Sequence, residues 1–231
     1  MDTPILNDLN EFKLNDLLEM EHPETLLEKL EPFNRLMMMY TCASMEIETK
    51  LKVLNAEFSL HHNRNPFESI KTRIKTPTSI LEKTKRKNIP FTIQSLEENM
   101  FDIAGVRVIC SFPEDIYTVR DMLLKQDDIR LCKEKDYIKH PKPNGYRSLH
   151  LIVEVPIFLA EQKKPMKVEV QLRTIAMDCW ASLDHKLKYK QNVKNADAIA
   201  EKLKKCADLS NELDLRMQEI RRDIDGSGSS H

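Results

Sequence analysis

Between Met166 and Arg173 the side chains alternate strictly: Met166, Val168, Val170 and Leu172 fall on one side, Lys167, Glu169, Gln171 and Arg173 on the other. A period of two belongs to a strand, so one face enters a core and the other presents a carboxylate, an amide and a guanidinium in a row. A solvated edge strand produces the same pattern, and the segment taken alone leaves both readings open.

The neighbouring segments supply partners for such a strand. SLHLIVEVP is apolar and β-branched, FDIAGVRVICSF reads as a buried strand bounded by Pro113, and Arg130 to Ile138 reads as a further strand. Ile70, Thr72 and Ile74 alternate with Lys71, Arg73 and Lys75, which predicts another strand with its basic residues on one side. A helix is expected from Pro77 and Ser79, a second over Glu114 to Leu124, and a third through IAMDCWASLDHKLKYK with Trp180 buried. Leu36, Tyr40, Ala43, Ile47, Leu51, Leu54 and Phe58 mark one face of a long core-packing helix, and Met37, Met38 and Met39 offer soft surface for a subunit contact. Upstream of it the acidic, leucine-rich start, interrupted by Pro23, predicts one or two short helices. A last helix carries a stripe from Ile199 through Leu209, Leu213 and Met217 to Ile224, and packs on the domain or on another subunit. Strands interleaved with helices predict an α+β fold, a mixed sheet of about five strands flanked by helices.

Charge is local rather than global. The 231 residues carry a net charge of −1, which gives no overall field for nucleic acid or membrane. Between Lys71 and Lys87, however, seven lysines and arginines face the single acid Glu82, and no glycine is present, so this is not a Walker loop. Strand, turn and helix N-terminus here would aim Arg73, Lys75, Ser79 and Lys83 at a polyphosphate, although a solvated basic face fits the same residues. The second basic stretch, KEKDYIKHPKPNGYRSLH from Lys133 to His150, joins five basic residues to Tyr137 and Tyr146 around the turn formers Pro141, Pro143, Asn144 and Gly145. A stiff basic loop with an exposed tyrosine suits a flat base attached to phosphates, and equally a charged surface turn. Asp102 is costly to bury without a cation or donor; either it precedes its strand or Ala104–Gly105 forms a bulge.

The five cysteines are scattered without CxxC spacing, which argues against a disulfide framework or a zinc knuckle. With no long apolar run and no leader pattern, the expectation is a soluble cytoplasmic protein without membrane contact. The terminal GSGSSH reads as a linker or tag remnant.

Taken together, RIKTPTSILEKTKRK, FDIAGVRVI, KEKDYIKHPKPNGYRSLH, VEVQLRT and MDCWASLDHKLKYK resemble, in order, the synthetase domain of the RelA/SpoT homologues, and the length resembles the small, single-domain alarmone synthetases. No His-Asp metal motif of that family's hydrolase domain precedes Lys71, so synthesis without hydrolysis is expected. The resemblance implies a pyrophosphokinase that moves pyrophosphate from ATP to the ribose 3′-hydroxyl of GDP or GTP, with Mg²⁺ as cofactor. By the same resemblance Asp102 and Glu169 match the magnesium carboxylates, and Glu169 also the general base. Arg73 and Arg107 would sandwich adenine, while Lys75, Ser79, Lys83 and Arg86 hold the ATP phosphates. Tyr146 would stack on guanine, with Lys135, Lys142, Asn144, His150 and Gln171 lining the acceptor side. Arg173 ranks lower, as a brace acting through buried carboxylates. The KEKD run at 133–136 resembles a family motif linked to acceptor preference, which stays open between GDP and GTP.

The expected organisation is an N-terminal helical extension over 1–62, the catalytic domain over 63–190, an oligomerisation helix over 191–225 and the remnant 226–231. Family likeness implies a homotetramer. RNA contact has no recognisable motif behind it. A non-alarmone nucleotidyltransferase and a non-catalytic nucleotide- or RNA-binding module remain the alternatives.

Overall fold

The computed structural model describes residues 23–61, 65–188 and 196–227. Of the first thirty residues, expected to form one or two short helices, 1–22 lie outside these residues and the rest begin a long helix instead. Helix α1, Pro23–His61, opens the described chain and accommodates Pro32 within it. Strand β1 (Phe67–Ile74), helices α2 (Pro77–Lys87) and α3 (Ile93–Asn99), β2 (Ala104–Cys110), α4 (Pro113–Leu124) and β3 (Arg130–Asp136) follow. After the basic loop come β4 (Leu149–Phe158), β5 (Lys163–Thr174), α5 (Ile175–Lys188) and α6 (Ala196–Ser227).

The five strands form one mixed sheet in the order β1-β2-β5-β4-β3, with β2 and β5 parallel and the other neighbours antiparallel. The alternating segment is therefore the central strand. Val168, Val170 and Leu172 are fully buried, as are Leu149, Leu151, Val153 and Val155 of β4. They share one core with Leu36, Tyr40, Ala43, Ile47 and Leu51 of α1 and with Ile116, Val119 and Leu123 of α4. The predicted stripe of α1 is thus a core stripe, and Met37 and Met39 are buried in it; of the three methionines only Met38 is exposed.

Helix α2 starts where a cap and a proline dictate. The Thr76 side chain accepts from the Ser79 backbone N–H at 3.2 Å, Pro77 occupies the first turn, and Asn88 closes the helix at φ 53°. Asp102 precedes β2, and the β1–β2 register runs unbroken past Gly105, so no bulge is needed to separate Asp102 from Arg107.

Helix α6 docks through polar groups rather than through its apolar stripe. Thr174 Oγ1 donates to Asp214 Oδ2 at 2.7 Å, Trp180 Nε1 donates to the Leu203 carbonyl at 2.9 Å, and Arg221 Nη1 donates to the buried Asp115 at 3.2 Å. Leu209, Leu213 and Ile224 remain 65, 54 and 67 % exposed. Periodicity identified the apolar face correctly, but the face turned to this domain is the one carrying Ala207, Asp214 and Gln218.

Candidate active site

Register places the functional side chains in two rows across all five strands. The pairs Lys71–Arg107, Arg107–Gln171, Gln171–His150 and His150–Lys135 make one row. Arg73–Gly105, Gly105–Glu169, Glu169–Ile152 and Ile152–Lys133 make the next. Laterally paired residues point to the same side of a sheet, so both rows rise from the face opposite the core.

Two cavities lie on that face. One, of about 420 Å³, is lined by Arg73, Arg107, Gln171 and Arg173 together with Glu169. The other, of about 230 Å³, is lined by Lys83, Asp102, Lys133, Lys135 and His150, again with Glu169. Glu169 is the one residue common to both linings.

A closed ring of hydrogen bonds holds that carboxylate. His150 Nδ1 lies 3.0 Å from Glu169 Oε1, and Gln171 Nε2 donates to Oε2 at 2.8 Å. The Tyr146 hydroxyl lies 2.8 Å from His150 Nε2 and accepts from Arg173 Nη2 at 2.7 Å, while the same Nη2 donates to Gln171 Oε1 at 3.2 Å. A nitrogen facing a carboxylate carries the proton, so the network assigns the Nδ1–H tautomer, with Nε2 accepting from Tyr146. Every donor in the ring then points, directly or through one neighbour, at Glu169. Burial opposes ionisation of Glu169, and the nearby Asp102 does too, but the bonds from His150 and Gln171 outweigh them and hold its carboxyl below the ordinary value of 4.5.

Asp102 is held by cations. Lys83 Nζ donates to Asp102 Oδ2, and Lys75 Nζ stands 3.4 Å from the same oxygen. Burial works against its ionisation; the Lys83 bond and the Lys75 charge prevail, and its carboxyl is also lowered. Burial, together with the charges of Lys83 and Arg73, lowers Lys75 in turn, against the pull of Asp102. Asp102 Oδ1 is buried and meets no hydrogen-bond partner. A hard cation could take up that lone pair. Among the described residues no group of three or more His, Cys, Asp or Glu side chains could form a metal cage. The donor set therefore suits an ion that keeps waters and phosphate oxygens around it, as Mg²⁺ does, rather than one held entirely by protein.

The basic loop is internally braced. Asp136 Oδ1 accepts from the Ile138 and Lys139 N–H groups at 2.9 Å each, and Gly145 N donates to the Lys142 carbonyl at 2.8 Å. Asn144 Oδ1 accepts from the Tyr146 N–H at 3.2 Å. Lys142 Nζ sits 4.6 Å from the ring centres of both Tyr137 and Tyr146. The loop also rests on α6: Arg147 Nη1 donates to the Ala207 carbonyl at 2.9 Å, and Gly145, at φ 86°, lies so close that a Cβ there would come within 2.5 Å of the Ala207 Cβ.

Most of the residues singled out in the sequence converge on this face. Arg86 is exposed and lines neither cavity; Lys87, one turn on from Lys83, lines the smaller one instead. Ser79 bonds its own cap, accepting from Thr76 Oγ1 at 3.0 Å. Sequence reasoning missed Asp178, which accepts from Arg107 Nη1 at 3.2 Å and from Arg173 Nη1 at 3.0 Å. The available signal was an acid in the first turn of the helix that directly follows Arg173 and Thr174. Within KEKD, Lys133 and Lys135 face the smaller cavity, whereas Glu134 pairs with Arg120 at 2.7 Å and Asp136 supports the loop.

Two carboxylates set among lysines and arginines on the open face of a mixed sheet are the kinds of group that phosphoryl transfer between nucleotides calls for. Sequence and structure comparisons give the particular family. The pattern described as a region found in RelA/SpoT proteins matches residues 72–194. The GTP pyrophosphokinase YwaC of Bacillus subtilis is 42% identical over 208 residues, covering 90% of this chain and 99% of the relative. The crystal structure of small alarmone synthetase 2 from Bacillus subtilis superposes with a TM-score of 0.75 at 42% identity, over 83% of this chain and 98% of that one. Small alarmone synthetase 1 from the same organism, bound to its product pppGpp, superposes with a TM-score of 0.76 at 35% identity, over 83% and 97% of the two chains. This chain belongs to the RelA/SpoT family, among its small alarmone synthetases.

Proposed function

We propose that this chain transfers the pyrophosphoryl group of ATP to the ribose 3′-hydroxyl of GDP or GTP, giving ppGpp or pppGpp and AMP. The observation that carries this reading is the position of Glu169, alone common to two cavities that are each walled by cations. Two adjoining cation-walled cavities leave room for two nucleotides, and a base that reaches both can stand where their reacting groups meet.

In this reading Arg73 and Arg107 offer their guanidinium planes to adenine, which Arg does better than Lys. Lys75, Ser79 and Lys83, with Lys87 nearer than Arg86, take the ATP phosphates. Tyr146 stacks on guanine, and Lys135, Lys142, Asn144, His150 and Gln171 surround the acceptor. Asp102 and Glu169 would hold Mg²⁺, which supplies neutralisation of charge on the transferring phosphates. Phosphate oxygens would give Lys75 and Lys83 new partners in place of Asp102, whose carboxylate would then be available to the cation. The 3′-oxygen attacks the β-phosphorus, its proton passes to the Glu169 carboxylate, and the bond from the β-phosphorus to the α–β bridging oxygen breaks as AMP leaves. His150 and Gln171 fix the direction of the Glu169 lone pairs throughout.

Residues 63–190 carry this chemistry, α1 backs the sheet, and the outward stripe of α6 supports self-association, with the family's homotetramer as the proposed state and the cytoplasm as its place. No described helix is long and apolar enough to cross a membrane. Incubation with ATP, GDP or GTP, and Mg²⁺ should release AMP and a guanosine nucleotide carrying two additional phosphates. Glu169→Gln should still bind ATP and lose turnover by about 10²–10⁴-fold, the usual contribution of a positioned base. Free pyrophosphate as the leaving product would overturn the assignment.

A further inference from the structure

Asp178 belongs to no role assigned so far, yet it touches both halves of the site. One oxygen, Oδ1, takes a bond from Arg107 Nη1 at 3.2 Å and from Arg173 Nη1 at 3.0 Å. Arg107 lines the larger cavity, where it is assigned to adenine. Arg173 is nearly buried and through Nη2 holds Tyr146 and Gln171, the two residues that close the ring on Glu169. Two guanidiniums this close in a half-buried place repel; burial and the Arg173 charge both lower the Arg107 pKa, and Asp178 opposes them.

The form of the contact matters as much as its existence. An arginine–carboxylate pair built for strength is bidentate. Asp178 instead accepts one bond from each arginine on a single oxygen, and the Nε of both Arg107 and Arg173 is buried without a partner. That arrangement forgoes the fork and ties the two guanidiniums to one shared oxygen between them. The local sequence makes it possible: α5 begins at Ile175, directly after β5 ends at Thr174, so its first turn swings Asp178 back over Arg173 and the adjacent strand.

We infer that Asp178 is a positioning residue that anchors the adenine-facing Arg107 to the Arg173–Tyr146–His150–Glu169 network through one shared oxygen, so that one carboxylate couples donor and acceptor geometry. This deepens the two-nucleotide reading above and rests on it. Disordering Arg107 weakens ATP binding, and loosening Arg173 lowers turnover through Glu169.

The test is a double-mutant cycle of Asp178→Asn and Arg107→Ala, read by calorimetry with ATP and a non-hydrolysable ATP analogue and by steady-state kinetics. Asp178→Asn should weaken analogue binding and, separately, lower kcat, each by about tenfold, the order expected for losing a charge-assisted hydrogen bond, in a variant still folded at the assay temperature. In the Arg107→Ala background it should no longer affect analogue binding and should still lower kcat. Asp178→Glu, which keeps the charge but displaces it, should show a smaller loss in the same sense, and it carries the comparison should the Asn variant not fold. Additive effects on binding, or wild-type constants in a folded variant, would overturn the inference. A wild-type enzyme that binds the analogue but forms no pyrophosphorylated guanosine nucleotide would instead sink the transferase reading, while the binding arm of the cycle still judges Asp178.

Discussion

The Tyr146 hydroxyl lies 2.8 Å from His150 Nε2, so the aromatic ring of the basic loop is hydrogen-bonded to the strand that faces the proposed base. Tyr146 therefore has two separable parts, a ring face for guanine and a hydroxyl that orients His150. Tyr146→Ala should raise KM for the guanosine acceptor by about 10- to 100-fold, from the roughly 1–3 kcal/mol of base–aromatic stacking. Tyr146→Phe should leave that KM nearly unchanged and lower kcat. Steady-state kinetics of both variants with varied GDP separates the two parts, and an unaltered KM in the alanine variant would remove Tyr146 from the guanine site.

The acid limb of the pH–rate profile should report Glu169. Burial raises its pKa, and His150 and Gln171 more than compensate, so the intact enzyme keeps its base ionised to below the ordinary 4.5. His150→Ala removes the larger compensating partner and leaves the burial, so the limb should move to higher pH while kcat falls. The linked stability has a defined sign. A carboxylate depressed in the folded state contributes stability above its unfolded value, and that contribution disappears as pH falls through the depressed one. The Glu169 contribution to the wild-type melting temperature should therefore be lost on the acid side of pH 4.5, and should be smaller in His150→Ala.

Gly145 is required twice over, by φ 86° and by the Ala207 Cβ that a side chain would meet at 2.5 Å. Gly145→Ala should strain the loop by about 1–2 kcal/mol from the left-handed backbone alone. Acceptor KM should rise while ATP binding by calorimetry stays put. Adding Ala207→Gly should relieve the steric part only, giving partial recovery.

Asp102→Asn should cut turnover by two orders of magnitude or more, about the several kcal/mol that a metal-held phosphate is worth, and should shift the Mg²⁺ dependence to higher concentration. Lys75, already lowered by burial, loses its compensating carboxylate and should titrate lower still. A Mg²⁺ titration that superposes on the wild-type curve would exclude Asp102 from the metal site.

The outward face of α6 should be covered in solution. Leu209, Leu213 and Ile220 are each more than half exposed along one side of the helix, a larger apolar stripe than a lone surface helix usually shows. Light scattering at micromolar concentration should give a mass well above the 27.0 kDa of one chain, and Leu213→Glu should reduce it. A monomeric wild-type protein would contradict the proposed assembly.

Much of the site was legible because its signals are local. Alternation from Met166 to Arg173 determines which residues leave the core, whatever the strand pairs with, and Glu169 follows from it. The helical stripe from Leu36 to Leu54 likewise determines a buried face without naming its neighbour. The α6 stripe marks the limit of that logic. Periodicity reports that a face is apolar, and says nothing of whether the domain or another chain covers it. Here polar anchors such as Thr174–Asp214 and Arg221–Asp115 turn an adjacent side inward, and Leu209, Leu213 and Met217 are left lining an open apolar groove beside α5.

By itself the sequence determined the α+β class, the five strands and the helices other than α3, and the residue types gathered on the open face, because backbone periodicity and side-chain chemistry are properties of short segments. The tertiary structure alone decided the order β1-β2-β5-β4-β3 and the register that lines up Lys71, Arg107, Gln171, His150 and Lys135. It also decided that Lys87 rather than Arg86 reaches the cavity, and that Asp178 joins two arginines that lie 66 residues apart in the chain. Such contacts depend on where whole strands settle relative to one another, and that placement is set by the shared core rather than by any segment that contributes to it.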